Sequence, residues 1–423
     1  MKITLGREKR SGKHITLDTE KLVNNNILLI GESGSGKTHS ARNIARAFSN
    51  QGATVYIYDV HGDILPGHPE VSTVTISETS PMGLQPFVIN QDAEFGGVNR
   101  AISRFISTVN SSKRQLGPRQ ASALGRLLKE LYAANGFYAG DKKTWSLSHD
   151  PRYKPRFPKK YPTFEDLLRF TKSKRKEIFT GMGSRQVKRL EDFLRKSATL
   201  SKKRVSTKYD EDEVQAAREA ALESYEEFLS DAKDEKVLDS LLDFASKDVI
   251  SSVFDQIEGL YSSGVFKNEL PVFDMSKRIH RYDLSALEVD DQKIFIELSL
   301  SELFLKSKQS GIKKIPDTYV FIDEVKNYII EGGMIPRYFT EIRKFGVGII
   351  VGAQSTEQLN NDMISNAATK IILGVDRMFS KTMANKLQIE QSVIDNIIPK
   401  KSALIAMKTG EHQSGFMQVM LGE

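Results

Sequence analysis

The sequence runs to 423 residues, 39% hydrophobic and 27% charged, with a formal net charge of +7. Such a length exceeds one typical core, so two domains, or one domain carrying a large insertion, are expected. Zero cysteines exclude disulfides and thiolate metal sites. The histidines form no close pair and His61 and His68 lie in a Gly/Pro loop, so zinc is not expected. No apolar run approaches the roughly eighteen residues that cross a bilayer. MKITLGREKR at the N-terminus has no apolar signal region, and a cytoplasmic location is expected.

In chain order, the first element is NNNILLI, a short apolar run suited to a buried parallel strand. It leads into Gly31-x-x-x-x-Gly36-Lys37-Thr38, the phosphate-binding loop pattern. Gly31, Ser33, Gly34, Ser35 and Gly36 supply a stretch whose backbone N–H groups can curl around phosphates at a helix N-terminus. Lys37 would compensate the β- and γ-phosphate charge of a nucleoside triphosphate, and the Thr38 hydroxyl would hold Mg²⁺. The glycine order does not fit the dinucleotide fingerprint, which needs G-x-G-x-x-G. KTHSARNIARAFSNQG then reads as a helix, with Ala41, Ile44, Ala45, Ala47 and Phe48 on one face and Gly52 at its C-terminal end.

A second strand, ATVYIYDV (53–60), ends at Asp59 and is followed by HGDILPG. From about 91 to 270 the chain is mainly helical in pattern. NRAISRFISTV, RQASALGRLLKELYAANG and TFEDLLRFTK show 3.6-residue apolar spacing, with Thr163 an N-cap. Charge is segregated within this region. Residues 142–208 carry 21 Lys/Arg against 6 Asp/Glu, and residues 209–247 carry 4 against 13. Tyr153, Phe157 and Tyr161 interleave the basic run, as on a phosphate-tracking surface. A solvated charged insertion whose halves attract each other explains the pattern equally well.

Strand-like runs resume at KIFIELSL, although its flanks also permit a helix. TYVFIDE (318–324) and GVGIIVGAQ (346–354) are apolar nearly throughout, as strands covered on both faces should be, and TKIILGV and KSALIAM add two more. Asp323 and Glu324 fall at the C-terminal end of their strand, where open α/β sheets bind ligands. Asp323 would hold Mg²⁺ and Glu324 would orient or deprotonate the attacking water. Gln354 ends the next strand, where an amide can sense the γ-phosphate or simply cap the strand. Arg343 and Lys344 sit on the preceding turn, where an arginine can reach a neighbouring site or merely pair at the surface.

Taken together, LGREKRSGKHITLD, NILLIGESGSGKT, YIYDVHGDI, YPTFEDLLRF, RYDLSAL, TYVFIDEVKNYI and YFTEIRKFGVGIIVGAQSTEQL resemble the HerA–FtsK superfamily of P-loop motor ATPases. The likeness is greatest to HerA-like ATPases and to the motor domains of conjugation and type IV secretion traffic ATPases. It implies an α/β, RecA-like fold with a mostly parallel sheet, helices on both faces and a large all-helical insertion. The expected division is 1–90 and 270–423 for the ATPase core and 91–269 for the insertion.

The resemblance also implies a homohexameric ring that uses ATP and Mg²⁺ to move double-stranded DNA. Lys37 and Thr38 serve phosphate and metal, Asp323 and Glu324 metal and catalysis, Gln354 the sensor and Arg343 an arginine finger. Asp59 and Asp63 match acidic positions after the second strand. Four departures stand out. About 25 residues precede the phosphate loop, too few for the N-terminal β-barrel of HerA proper. Neither a membrane helix nor a C-terminal winged helix is evident, and the Gln-Arg-Pro often found at the sensor is Gln354-Ser355-Thr356. A stripped motor is expected, recruited by a protein partner such as a nuclease or transfer-apparatus component. An assembly or traffic ATPase acting on a protein client would use the same site chemistry.

Overall fold

A set of buried apolar strands, most of them connected through helices, forms the centre of one large sheet. The computed structural model describes residues 1–111, 115–147, 159–180, 184–206, 209–230, 247–410 and 414–422. Among these the strands are β1 (Lys2–Glu8), β2 (His14–Asp18), β3 (Ile27–Gly31), β4 (Thr54–Asp59), β5 (Val71–Thr75), β6 (Ile279–Asp283), β7 (Lys313–Ile322), β8 (Phe345–Ala353), β9 (Thr369–Gly374), β10 (Ser402–Met407) and β11 (Met417–Met420). Their order is β2-β1-β11-β10-β9-β3-β8-β7-β4-β6-β5. From β9 to β5 every pairing is parallel; from β9 outward through β10, β11, β1 and β2 every pairing is antiparallel. The fold is therefore α/β and mostly parallel, as expected, with an antiparallel flank that the sequence pattern did not announce.

The principal helices are α1 (Lys37–Asn50), α2 (Val98–Asn110), α3 (Pro118–Ala134), α4 (Phe164–Thr180), α5 (Ser184–Val205), α6 (Glu211–Ser230), α7 (Lys247–Ser262), α8 (Val289–Gln309) and α9 (Met334–Glu341). The chain divides into two compact units. One comprises Met1–Pro86, Ser107–Lys113 and Ser263–Glu423; the other comprises Phe87–Ile106 and Arg114–Ser262. All eleven strands belong to the first.

In the sheet unit, β3 is buried along its whole length, and α1 lays Ala41, Ile44, Ala45 and Phe48 into the core, with Ala47 half-buried. Burying each large apolar side chain contributes roughly 1.5–3 kcal/mol. Gly52, at φ 93°, ends α1 in the left-handed conformation that residues with a Cβ resist.

KIFIELSL is not a strand: it lies inside α8. Nearly every residue from Asp291 to Leu300 is buried, so the helix shows no polar face, and an all-round apolar run reads like a buried strand. Two of its interior polar side chains have partners outside the helix. Gln292 donates to the Val60 and Leu284 carbonyls and accepts from the Tyr328 hydroxyl. Glu297 accepts the Met334 N–H at the start of α9.

The second unit is helical. Phe87, Phe105, Tyr132 and Phe164 form an aromatic centre, with the Tyr132 hydroxyl donating to the Phe87 carbonyl. Thr163 caps α4 reciprocally: its hydroxyl accepts from the Asp166 N–H, and its own N–H donates to the Asp166 carboxylate. α5 and α6 pack as an antiparallel pair through Phe193 against Tyr225, with the Arg189 guanidinium bonded to the Glu227 carbonyl. Tyr161 is not a free stacking platform, because its ring stacks on Phe137 and its hydroxyl donates to the Trp145 carbonyl. Tyr153 and Phe157 lie outside the described residues.

Candidate nucleotide site

Parallel pairing of β3, β8 and β7 brings three strand ends to one edge, with Ile30 beside Ala353 and Phe321 beside Ile350. The loop after β3 turns through Gly34 at φ 79° and Gly36 at φ 97° before α1 begins. No side chain caps α1, so its first N–H groups are left for a ligand. Ser33 and Gly34 are exposed at the tip. Ser35 is buried with its hydroxyl unpartnered, an orphan that a phosphate oxygen would satisfy. The Ser35 carbonyl accepts from the Lys400 N–H at 3.1 Å, which ties the loop to the turn before β10.

Lys37 is buried, with its ammonium 3.3 Å from the Gly31 carbonyl. The Thr38 hydroxyl lies 3.5 Å from Asp323 Oδ2, across 285 residues of sequence. Asp323 is itself buried just beyond β7, and burial raises its pKa above the ordinary carboxylate value while the Lys37 charge opposes that rise. Gly352 on β8 makes room for it: a Cβ there would sit 2.1 Å from Asp323 Oδ1. The hydroxyl, the carboxylate and the orphaned loop serine together suit a magnesium–nucleotide triphosphate.

Glu324 follows in the left-handed conformation, φ 47° and ψ 47°, a strain of roughly 1–3 kcal/mol for a residue with a Cβ. Its N–H donates to Asp323 Oδ1 at 2.8 Å. Gln354, exposed at the end of β8, approaches Glu324 Oε1 with its amide nitrogen at 3.4 Å. His61 Nε2 lies 2.9 Å from Glu324 Oε2. A cavity of about 860 Å³ opens beside Gly36, His39 and Asn43 and is walled by Leu5, Ile405 and Met420.

The two acidic positions after β4 divide. Asp59 is fully buried and accepts from the N–H groups of His61, Gly62 and Ile64 and from Arg281. It is a scaffold for the loop, not a ligand group. Asp63 adds negative charge near Asp323 and accepts from Arg42 through its carbonyl.

Arg343 and Lys344 are exposed on the turn that enters β8. Nine strand residues separate this turn from Gln354, about 30 Å at strand rise. The structure thus joins the loop, Thr38, Asp323, Glu324 and Gln354, and sets Arg343 at the opposite edge of the sheet. Sequence pattern alone gave no role to His61, Gly352 or Arg281. Only Gly352 carried a local signal, as an isolated glycine in an apolar strand.

A phosphate loop on a parallel sheet with two acidic residues at the neighbouring strand end defines a P-loop nucleoside triphosphatase fold. The sequence profile of the family described as "Helicase HerA, central domain" matches residues 3–303, and the chain belongs to that family, within the HerA–FtsK superfamily. It is 25% identical over 144 residues to the DNA double-strand break repair helicase HerA of Saccharolobus solfataricus, a stretch covering 31% of this chain and 29% of that protein. The match thus spans under a third of the helicase's own length. In fold the chain is similar to VirB4 of Thermoanaerobacter pseudethanolicus, with a TM-score of 0.60 at 13% identity over 100% of this chain and 96% of that one. It is also similar to the bacterial conjugative coupling protein TrwB, with a TM-score of 0.55 at 14% identity over 99% and 88%. Among the described residues no helix is long and apolar enough to cross a membrane.

Proposed function

We propose that this chain is the subunit of a ring-forming motor that hydrolyses ATP with Mg²⁺ and translocates or processes double-stranded DNA. The observation that carries the reading is the meeting of Thr38, Asp323, Glu324 and Gln354 at one sheet edge beside the phosphate loop. Lys37 and the loop N–H groups bind the phosphates, and the cavity beside Gly36 receives the base. Thr38 and Asp323 hold the magnesium ion, which supplies charge neutralisation on the phosphate oxygens. Glu324 takes the proton of the attacking water, and Gln354 hydrogen-bonds the γ-phosphate.

Arg343 lies too far from its own loop to serve it, so it completes the site of a neighbouring subunit, most simply in a homohexamer. Residues 1–90 and 270–423 are the motor core and 91–269 an insertion. The motor works in the cytoplasm and is recruited by a protein partner. An assembly or traffic ATPase acting on a protein client, which would use the same site chemistry, is the second reading.

One experiment tests the proposal: ATP hydrolysis measured with and without duplex DNA. Stimulation by duplex DNA, absent in Lys37→Ala, is the expected result. Hydrolysis that no DNA alters would overturn the DNA assignment and leave the protein-client reading.

A further inference from the structure

We propose that His61 is a positioning residue for Glu324, an inference that rests on Glu324 being the catalytic base. An ionised carboxylate only accepts hydrogen bonds, so the ring nitrogen 2.9 Å from Glu324 Oε2 must carry the hydrogen. His61 therefore donates through Nε2 to one carboxylate oxygen, while Gln354 approaches the other. Because the Glu324 backbone is left-handed, the pleat of β7 no longer dictates where its side chain points. Hydrogen bonds from other elements must fix the direction instead.

The imidazole is itself held from the interior. The Asp59 carboxylate collects the N–H groups of His61 at 3.3 Å, Gly62 at 2.8 Å and Ile64 at 2.8 Å. Arg281 Nε closes the set at 2.8 Å, and the same guanidinium reaches Asp283 at 3.3 Å. Asp59 is 0% and Arg281 3% exposed. A buried ion pair is expensive to desolvate, and here it pins the turn that presents His61. The order of support runs from Arg281 to Asp59, from Asp59 to the turn, from the turn to His61, and from His61 to Glu324. A general base must be held within a fraction of an ångström of its working geometry, and this series of hydrogen bonds supplies that restraint.

The test is a set of His61 and Glu324 variants of the full chain. His61→Ala is expected to lower kcat about 10- to 100-fold, less than removal of the base itself, with ATP affinity unchanged. His61→Gln should recover most of the rate, since its amide nitrogen overlies the ring Nε2. His61→Asn, whose amide nitrogen overlies Nδ1, should not. In a Glu324→Gln background His61→Ala should have little further effect. Independently of turnover, ¹⁵N NMR of the His61 ring should report hydrogen on Nε2, and Glu324→Ala should weaken that preference. Parental or raised kcat in His61→Ala, equal recovery by Asn and Gln, or fully multiplicative losses with Glu324→Gln would each overturn the proposal. If Glu324→Gln itself turns over at the parental rate, the assignment of the base has failed, a distinct outcome.

Discussion

The two units handle charge in opposite ways. In the sheet unit, Lys37, Asp59, Arg281, Glu297 and Asp323 are all buried, and each has a geometric partner: Glu297 at the start of α9, the others at or behind the candidate nucleotide site. Among the described residues of the helical unit most charged side chains are exposed, and some pair with a neighbour on the same helix, as Arg169 does with Glu165. Burying an ion costs several kcal/mol, so interior charges persist where a site or its scaffold uses them. Exposed pairs contribute little, and their sum sets a surface field instead of a geometry. Substitutions of charged residues should therefore have large effects in the first unit and small effects in the second.

The largest effect is expected at the phosphate loop. Lys37→Ala should abolish ATP binding and hydrolysis together, because phosphate charge is left uncompensated. Arg343→Ala should bind ATP normally and fail to hydrolyse it. Mixed rings of the two variants should regain activity at interfaces that join an intact loop to an intact arginine. Mixed assemblies, verified by native mass spectrometry, that show no rescue at any ratio would remove Arg343 from the neighbouring site.

Next in size is the buried pair behind the His61 turn. Arg281→Met keeps the volume and strands the Asp59 charge, and one-sided removal of a buried pair costs about 3–5 kcal/mol. Denaturant midpoints should show that drop in stability, and Asp59→Asn in the same chain should restore part of it. A variant as stable as the parent would mean that the three backbone N–H groups alone suffice for Asp59.

What the sequence revealed follows the same physics. β3, β4, β7, β8, β9 and β10 were legible because each is a nearly continuous apolar run. β1, β2 and β11 were not: they lie in the antiparallel flank, are half-exposed, and their polar residues alternate weakly. β6, IHRYD, hides because its His280 and Arg281 are buried polar residues, the first bonded to the Lys277 carbonyl and the second to Asp59. Local motifs pointed to Lys37, Thr38, Asp323 and Glu324, because the residues of each motif are contiguous in sequence. The hydrogen bond from His61 to Glu324 joins residues beyond different strands, far apart in sequence, and no local pattern encodes it.

A smaller, pH-dependent effect is expected at Glu297. Burial pushes its pKa up to about 7, against opposing contributions from the Met334 N–H and from Arg337. Between its ordinary value and 7 the folded chain holds a proton that the unfolded chain has released. Stability from this group is therefore greatest at low pH and falls as pH rises through that window, by up to about 3 kcal/mol. Glu297→Gln keeps an acceptor for the Met334 N–H and removes the titration. The stability difference between parent and variant, followed from pH 5 to pH 8, should shift in favour of the variant. A difference that stays constant with pH would show that Glu297 ionises without cost.

The smallest effect is expected from Lys159 and Lys160 within the basic run, where the contrast between units can be broken most directly. Lys159 donates to the Thr144 carbonyl at 2.5 Å and lies over the Phe137 ring at 4.3 Å. Lys160 pairs with Asp166 at 3.7 Å. Both lysines are engaged within their own unit, so neither is poised to neutralise a phosphate. Each phosphate that a protein neutralises on duplex DNA adds about 0.9 to the steepness of the log–log salt dependence. Replacing both lysines with Ser should therefore change that slope by less than about 0.9. The unit itself should weaken by about 1 kcal/mol, because the Lys159 hydrogen bond and its cation–π interaction disappear. A fall in slope near 1.8, twice the value for one phosphate, would mean that both side chains leave their internal partners for DNA. The helical unit would then use its surface charge as the sheet unit uses its buried charge, for a ligand.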